Sequence, residues 1–453
     1  MMRPNTLIIS LLLLFCFRYT KAQHQTTALV GATIIDVSNY GNNANDLNDA
    51  VVIFQNGKIK QVGSKKTIKI TAGTKVIDVT GKFIIPGLID GFSALNNQGQ
   101  ANAHLYMGVT TISGGIPGDR RRGDFFIDAN PSPRLKRIAA IPNDADKYGL
   151  YAKAKPSLED ISGISHELDR LDSLKAAGYS TILVHHRFPQ ELMQQVVRQT
   201  DAQDMNTIGE INMASYQNAM KKGINSFVHT SRYILGAAPN SVRIPFMQSP
   251  FDSVAIIRKN EFVSTFSIVS DKNFLKYAKE VASSHTALMP TMSMLYASLP
   301  DHKNLWKEPA AVVLDYKDIW LPLDTVTGKS GSWISTEEAL RLIEIEKGFA
   351  KAGAHYITGS GADAFGSMPG ISEHIEIAML HHIGLTNRQA LAAATNNFSI
   401  FCKWNDIGLV EEGRYADLLV LSANPLTDLK NLNKIKMIVL NGRTMNRETL
   451  LTK

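Results

Sequence analysis

Cysteine is scarce in this chain. Only Cys16 and Cys402 occur among 453 residues. Cys16 lies in an apolar leader, so the mature chain is expected to hold no intrachain disulfide even in an oxidising compartment. A strong excess of one charge is lacking too. There are 48 basic and 41 acidic residues, a formal +7, and loss of the leader removes Arg3, Arg18 and Lys21. With Arg120-Arg121-Arg122 as the one basic cluster, that balance gives no basis for binding nucleic acid. No P-loop, dinucleotide fingerprint or Gly-x-Ser-x-Gly elbow is present. Gly and Pro, at 32 and 17, are not in excess, so a globular protein is expected.

Long apolar runs are confined to the start. Arg3 precedes the run Leu7 to Phe17, and Tyr19-Thr20-Lys21-Ala22-Gln23 follows it. A basic start, a short apolar segment and a small residue before the cut make a secretory signal, cleaved after Ala22. The run is shorter than the ~20 residues a bilayer span requires. The mature protein is therefore expected in the periplasm or outside the cell, with no membrane span.

What remains is 44% hydrophobic overall and can bury one large core and a small one. Thr27 to Val37 alternates in the manner of a strand. Val51 to Phe54 and Ile59 to Val62 flank Asn56-Gly57, a type I′ hairpin signal. Val76 to Val79 adds another strand. At the far end, Leu418 to Leu421 and Ile435 to Leu440 read as strands with their own turn residues. Between these ends, apolar β-runs alternate with helical patterns, which predicts a parallel α/β architecture. Helices are expected over Ser157 to Ala177, Gln190 to Thr200, Ser215 to Lys222, Phe274 to Ser283, Thr336 to Ala352, Ser372 to His382 and Asn387 to Asn396. Several stop at Gly (Gly178, Gly223, Gly353). The polar, Pro-containing stretches 118–147 and 234–263, and the long 295–332 segment with Trp306 and Trp320, read as insertions over one end of the fold.

One stretch joins the two parts: Lys82-Phe83-Ile84-Ile85-Pro86-Gly87-Leu88-Ile89-Asp90-Gly91-Phe92-Ser93-Ala94. It resembles the junction of the amidohydrolase superfamily, imidazolonepropionase-like branch, where the strand reads P-G-L-I-D-x-H-x-H. Gly408 to Leu421, with Gly413-Arg414-Tyr415-Ala416-Asp417-Leu418, resembles that superfamily's closing motif. The resemblance implies a TIM-like (β/α)8 barrel with a small β-sandwich built from both termini. The parts would be 23–86 and 404–453 for the sandwich and 87–403 for the barrel.

The resemblance also implies a metal site at the carboxyl ends of the barrel strands. Such a site needs imidazoles and carboxylates around one or two divalent ions, with a position open for water. Here the first two ligand positions are Phe92 and Ala94, which cannot coordinate. The third falls on Leu183, next to His185 and His186, of which at most one could face the mouth. The fourth is Glu210 and the fifth His229, in Gly223-Ile224-Asn225-Ser226-Phe227-Val228-His229. The catalytic Asp corresponds to Gly361 in one register and to Asp363 in another.

Two readings stay open. In the first, a catalytically degenerate amidohydrolase-like protein holds no metal, and its mouth, with Phe92 and His185, binds a small molecule or an active amidohydrolase-like partner. In the second, an active hydrolase of non-peptide C–N bonds (cyclic amides or dipeptides) uses one divalent ion, zinc by preference. His229 and Glu210 would hold it, and Asp363 would move the proton.

Overall fold

The computed structural model describes residues 25–116, 124–142, 156–185, 188–212, 214–248, 252–329 and 334–452. The secretory signal expected at residues 1–22, the cluster Arg120-Arg121-Arg122 and His186 lie outside the described residues.

Both chain ends build one eight-stranded sheet. Its N-terminal strands are Thr27–Ile34, Leu47–Gln55, Lys58–Ser64, Lys75–Asp78 and Phe83–Pro86, and its C-terminal strands are Leu418–Leu421, Ile435–Leu440 and Arg443–Met445. The seam is Phe83–Pro86, antiparallel to Leu418–Leu421 with Leu418 opposite Pro86. Asn56 and Gly57 take φ of 52° and 78°, and Asn441 and Gly442 take 49° and 70°. These are the positive angles that Asn-Gly hairpins supply. Leu29, Val52, Phe54, Ile84, Leu418 and Val439 form the core of this part.

The second sheet has seven parallel strands in sequence order. They are Leu88–Ser93, Val109–Gly114, Arg134–Ile141, Tyr179–Val184, Asn206–Gly209, Ser226–Val228 and Ala287–Met289. The segment 355–361 closes the ring between the seventh strand and the first. Leu288 N–H donates to His355 O (2.8 Å), Ile357 N–H to Leu288 O (3.0 Å), Gly91 N–H to Thr358 O (3.1 Å) and Gly361 N–H to Phe92 O (2.8 Å). The eighth position is thus filled by a short bridged segment, and the chain is a mixed α/β barrel with a separate sheet. Ile89, Phe92, Ile138, Leu183, Ile208, Val228, Met289 and Ile357 fill its interior, as inward side chains do in such barrels.

Two sequence expectations change. Part of the stretch read as an insertion at 118–147 is the third barrel strand, Arg134–Ile141. Its charges misled because the strand begins over the terminal sheet. There Arg134 pairs with Asp417 (2.9 Å) and Lys136 with Asp406 (3.4 Å), and Ile138, Ala139 and Ile141 carry its apolar burial. The helix expected over Ser157 to Ala177 is two helices, Leu158–Leu168 and Leu171–Ala176, broken at Arg170 (φ −108°, ψ 18°). Buried Leu168 and Leu171 flank the break. Other ends follow local chemistry. Thr336–Ala352 starts with a Ser335/Glu338 capping box and stops at Gly353, φ 93°. Among the described residues, no helix is long and apolar enough to cross a membrane.

Candidate functional site

In a parallel barrel the chemistry belongs at the carboxyl ends of the strands, because the loops that follow converge there. Phe92 lies at that end of the first strand, 4% exposed, with its ring inside the barrel cluster. It meets the His229 imidazole edge to face, with centroids 5.6 Å apart at 89°. Ala94 is buried beside it, and Leu183 points into the same apolar interior. The strand end that resemblance would furnish with two imidazoles is therefore hydrocarbon.

His229 follows the sixth strand with φ 66°. Its Nδ1 lies 2.7 Å from Thr291 Oγ1, on the loop after the seventh strand. Its backbone N–H donates to Met289 O (3.0 Å). Glu210 follows the fifth strand, and its Oε1 accepts from Arg232 Nε at 2.7 Å. Arg232 sits on the short helix Thr230–Tyr233 right after His229. The carboxylate nearest in sequence pattern to a ligand is thus bound to a guanidinium. His185 ends the fourth strand, half-buried, and its N–H donates to Ile141 O (3.1 Å).

The two registers weighed for the last acid place two residues at different depths. Gly361 is hydrogen-bonded to Phe92 O and occupies the strand end. A side chain there would meet Met294 Sδ. Asp363 lies two residues further out, 3% exposed. Its Oδ2 accepts from Asn96 Nδ2 and, at 3.4 Å, from Gln100 Nε2. Its backbone O accepts from Trp320 N–H at 2.8 Å. Trp320 rests on Phe365, with centroids 4.4 Å apart, and is 36% exposed. The 295–332 segment, anchored also by the Asp318–Asn97 side-chain hydrogen bond, thus brings an aromatic edge to the rim. Asn96, Gln100 and Thr291 were missed in the sequence. The one available signal was the Asn96-Asn97-Gln98 run directly after the first strand, since amide side chains there face whatever the mouth holds.

A catalytic ion in this fold needs at least three imidazole or carboxylate ligands on one gap. Among the described residues, no three His, Cys, Asp or Glu side chains gather in that way. Glu210 faces a cation, Asp363 faces amide donors, and His229 faces a benzyl ring and a hydroxyl. Among the described residues, those at the mouth do not assemble the ligand set of the metal that the resemblance implies.

Comparisons agree with this architecture. Residues 340–445 match the family model described as "Amidohydrolase family". A molinate hydrolase structure superposes with TM-score 0.60 at 17% identity, covering 95% of this chain and 97% of its own. A. niger ochratoxinase gives 0.58 at 15%, covering 94% and 96%. A Xaa-Pro dipeptidase with bound methionine in the active site gives 0.56 at 15%, covering 93% and 100%. No curated protein sequence matches the chain.

Proposed function

We propose that this chain, amidohydrolase-like in its fold and in its 340–445 family match, is an exported protein that binds a small molecule at the barrel mouth without a metal centre and serves a binding or accessory role. The observation that carries the reading is the edge-to-face packing of Phe92 on His229. A benzyl group fills the place where the first imidazoles would stand. The pairing of Glu210 with Arg232 supports it, because a carboxylate held by a guanidinium is costly to detach for a metal. The apolar interior below and the Trp320/Phe365 edge above suit a ligand with a flat apolar part, since small-molecule sites are concave and largely apolar with a few fixed polar groups. A small-molecule occupant also follows the precedent of the dipeptidase neighbour, whose active site is described with methionine bound.

Export rests on the leader, and mass spectrometry of the mature N-terminus is expected to begin at Gln23. The functional test is metal content. Full-length mature protein purified from zinc-replete medium is expected to hold far less than one zinc per chain, unchanged by His229→Ala. About one tightly bound zinc per chain, lost in His229→Ala, would overturn the proposal in favour of a mononuclear hydrolase.

A further inference from the structure

Behind the first strand, against the helix Ile371–His382, three carboxyl groups are fully buried: Asp90, Glu373 and Glu376. Their hydrogen bonding is unequal. Asp90 accepts from Ser360 N–H (2.8 Å), Ser360 Oγ (2.5 Å) and Phe92 N–H (3.3 Å), the donor supply a carboxylate needs. Glu376 accepts one backbone bond at Oε2, from Ser293 N–H at 2.7 Å, and its Oε1 has no partner. Glu373 has no partner on either oxygen. Beside it the Thr358 hydroxyl gives its proton to Ile89 O (3.0 Å). The groups facing the two glutamates from other elements are Asp90 on the first strand, the backbone N–H groups of Met292 and Ser293 with the Ser293 hydroxyl, and Thr358. His104 on the helix Gln98–Tyr106 faces Asp90, and burial keeps its imidazole neutral.

Two glutamates one helical turn apart, short of donors and next to a third carboxyl, fit as neutral acids. Burial is the first cause and the Asp90 charge adds to it. Glu373 is pushed well above the ordinary carboxylate range and Glu376 to about 8. The geometry shows what the Glu376 carboxyl is linked to. Ser293 N–H is on Glu376, while Ser293 Oγ donates to Ser360 O (2.7 Å). Ser360 is bound to Asp90 and precedes Gly361, whose N–H holds Phe92 O. Thr291, two residues before Ser293, holds His229. Ser293 therefore joins Glu376 to the end of the eighth strand, and Asp90 carries the link from Ser360 to the first.

We infer that Glu376 is a positioning residue for the barrel mouth, and that as a neutral buried acceptor it holds the loop after the seventh strand, which Ser293 and Ser360 link to the end of the eighth strand and to the first. Opening of this tie brings Glu376 to water, where it ionises as an ordinary carboxylate. The open form thus binds one proton fewer between the ordinary carboxylate range and about pH 8, so opening grows with pH across that window and levels off above it. No ligand is required, so the inference stands or falls separately from the proposed binding role.

Hydrogen exchange by mass spectrometry on the mature chain, from about pH 5 to about pH 9 and corrected for intrinsic exchange, tests it. In the wild type, protection in peptides covering 291–296 and 358–364 is expected to fall about tenfold per pH unit up to about pH 8 for each proton released. Glu376→Gln, which keeps the shape and cannot ionise, is expected to lose one such tenfold step per unit. Ser293→Ala cuts the link to Ser360 O and is expected to lower protection in 358–364 at every pH. Strand Leu47–Gln55 of the terminal sheet is expected not to follow. The inference is overturned if Glu376→Gln keeps the wild-type slope, or if all peptides, Leu47–Gln55 included, change in parallel.

Discussion

The base of the barrel and its mouth treat charge in opposite ways. At the base, Asp417 joins Arg134 (2.9 Å) and accepts from Asn441 N–H (2.6 Å). The Tyr415 ring carries Lys58 Nζ 3.4 Å from its centre and the Arg134 guanidinium at 3.5 Å. These contacts fasten the terminal sheet to the third barrel strand, and the motif that supplies them, Tyr415-Ala416-Asp417, is intact. At the mouth the expected ligand positions are apolar or already engaged, as with Phe92, Ala94 and Glu210. The lesson is that residues holding a barrel to its companion sheet and residues holding its chemistry are separate sets, at opposite ends of the strands. One set can persist while the other is replaced.

If the two ends are independent, the largest effect should come from the base and leave the mouth untouched. Asp417→Ala strands Arg134 and a backbone N–H, and should cost about 4 kcal/mol in urea unfolding. The His229 ring resonances should not shift, and a shift there would break the comparison. Next, Phe92→Ala opens a cavity at the mouth and should cost about 3 kcal/mol. Mature protein of this variant should still have an intact terminal sheet by hydrogen exchange.

A third experiment separates both ends from the barrel wall. Glu346 is buried, accepts from Tyr233 OH (2.5 Å) and Tyr356 OH (3.0 Å), and is raised by burial to about 7. The folded state therefore keeps a proton that the unfolded chain releases near 4.5. Its contribution is full below that value and declines as pH rises to about 7, at up to about 1.4 kcal/mol per pH unit. Glu346→Gln should flatten that part of the pH–stability curve. Thr291→Val should cost about 1 kcal/mol and change the His229 Nδ1 shift by NMR, sharpening the assignment of that contact. Last, Lys403→Ala removes an exposed pair with Asp201 and should change stability by less than about 0.5 kcal/mol.

Much of this was legible in the chain. The Asn56-Gly57 hairpin and the Gly223 and Gly353 stops are local: a few neighbouring residues fix the backbone angles, so sequence alone suffices. That Phe92 and Ala94 cannot coordinate was equally plain, because it depends on residue identity only. The third strand was not legible, since Arg134 and Lys136 look like loop residues until Asp417 and Asp406 are brought to them.

The sequence by itself determined the alternating strand–helix plan and the apolar character of the first strand end, while the resemblance implied a β-sandwich from both termini where the structure has one eight-stranded sheet. Only the tertiary structure decided that Arg232 occupies Glu210, that 355–361 closes the ring by bridging, and that Asp363 sits on Asn96, a partner 267 residues away. The reason is physical. A turn is set by torsion angles within a few residues, whereas the state of a buried acid is set by which donors the folded chain delivers to it.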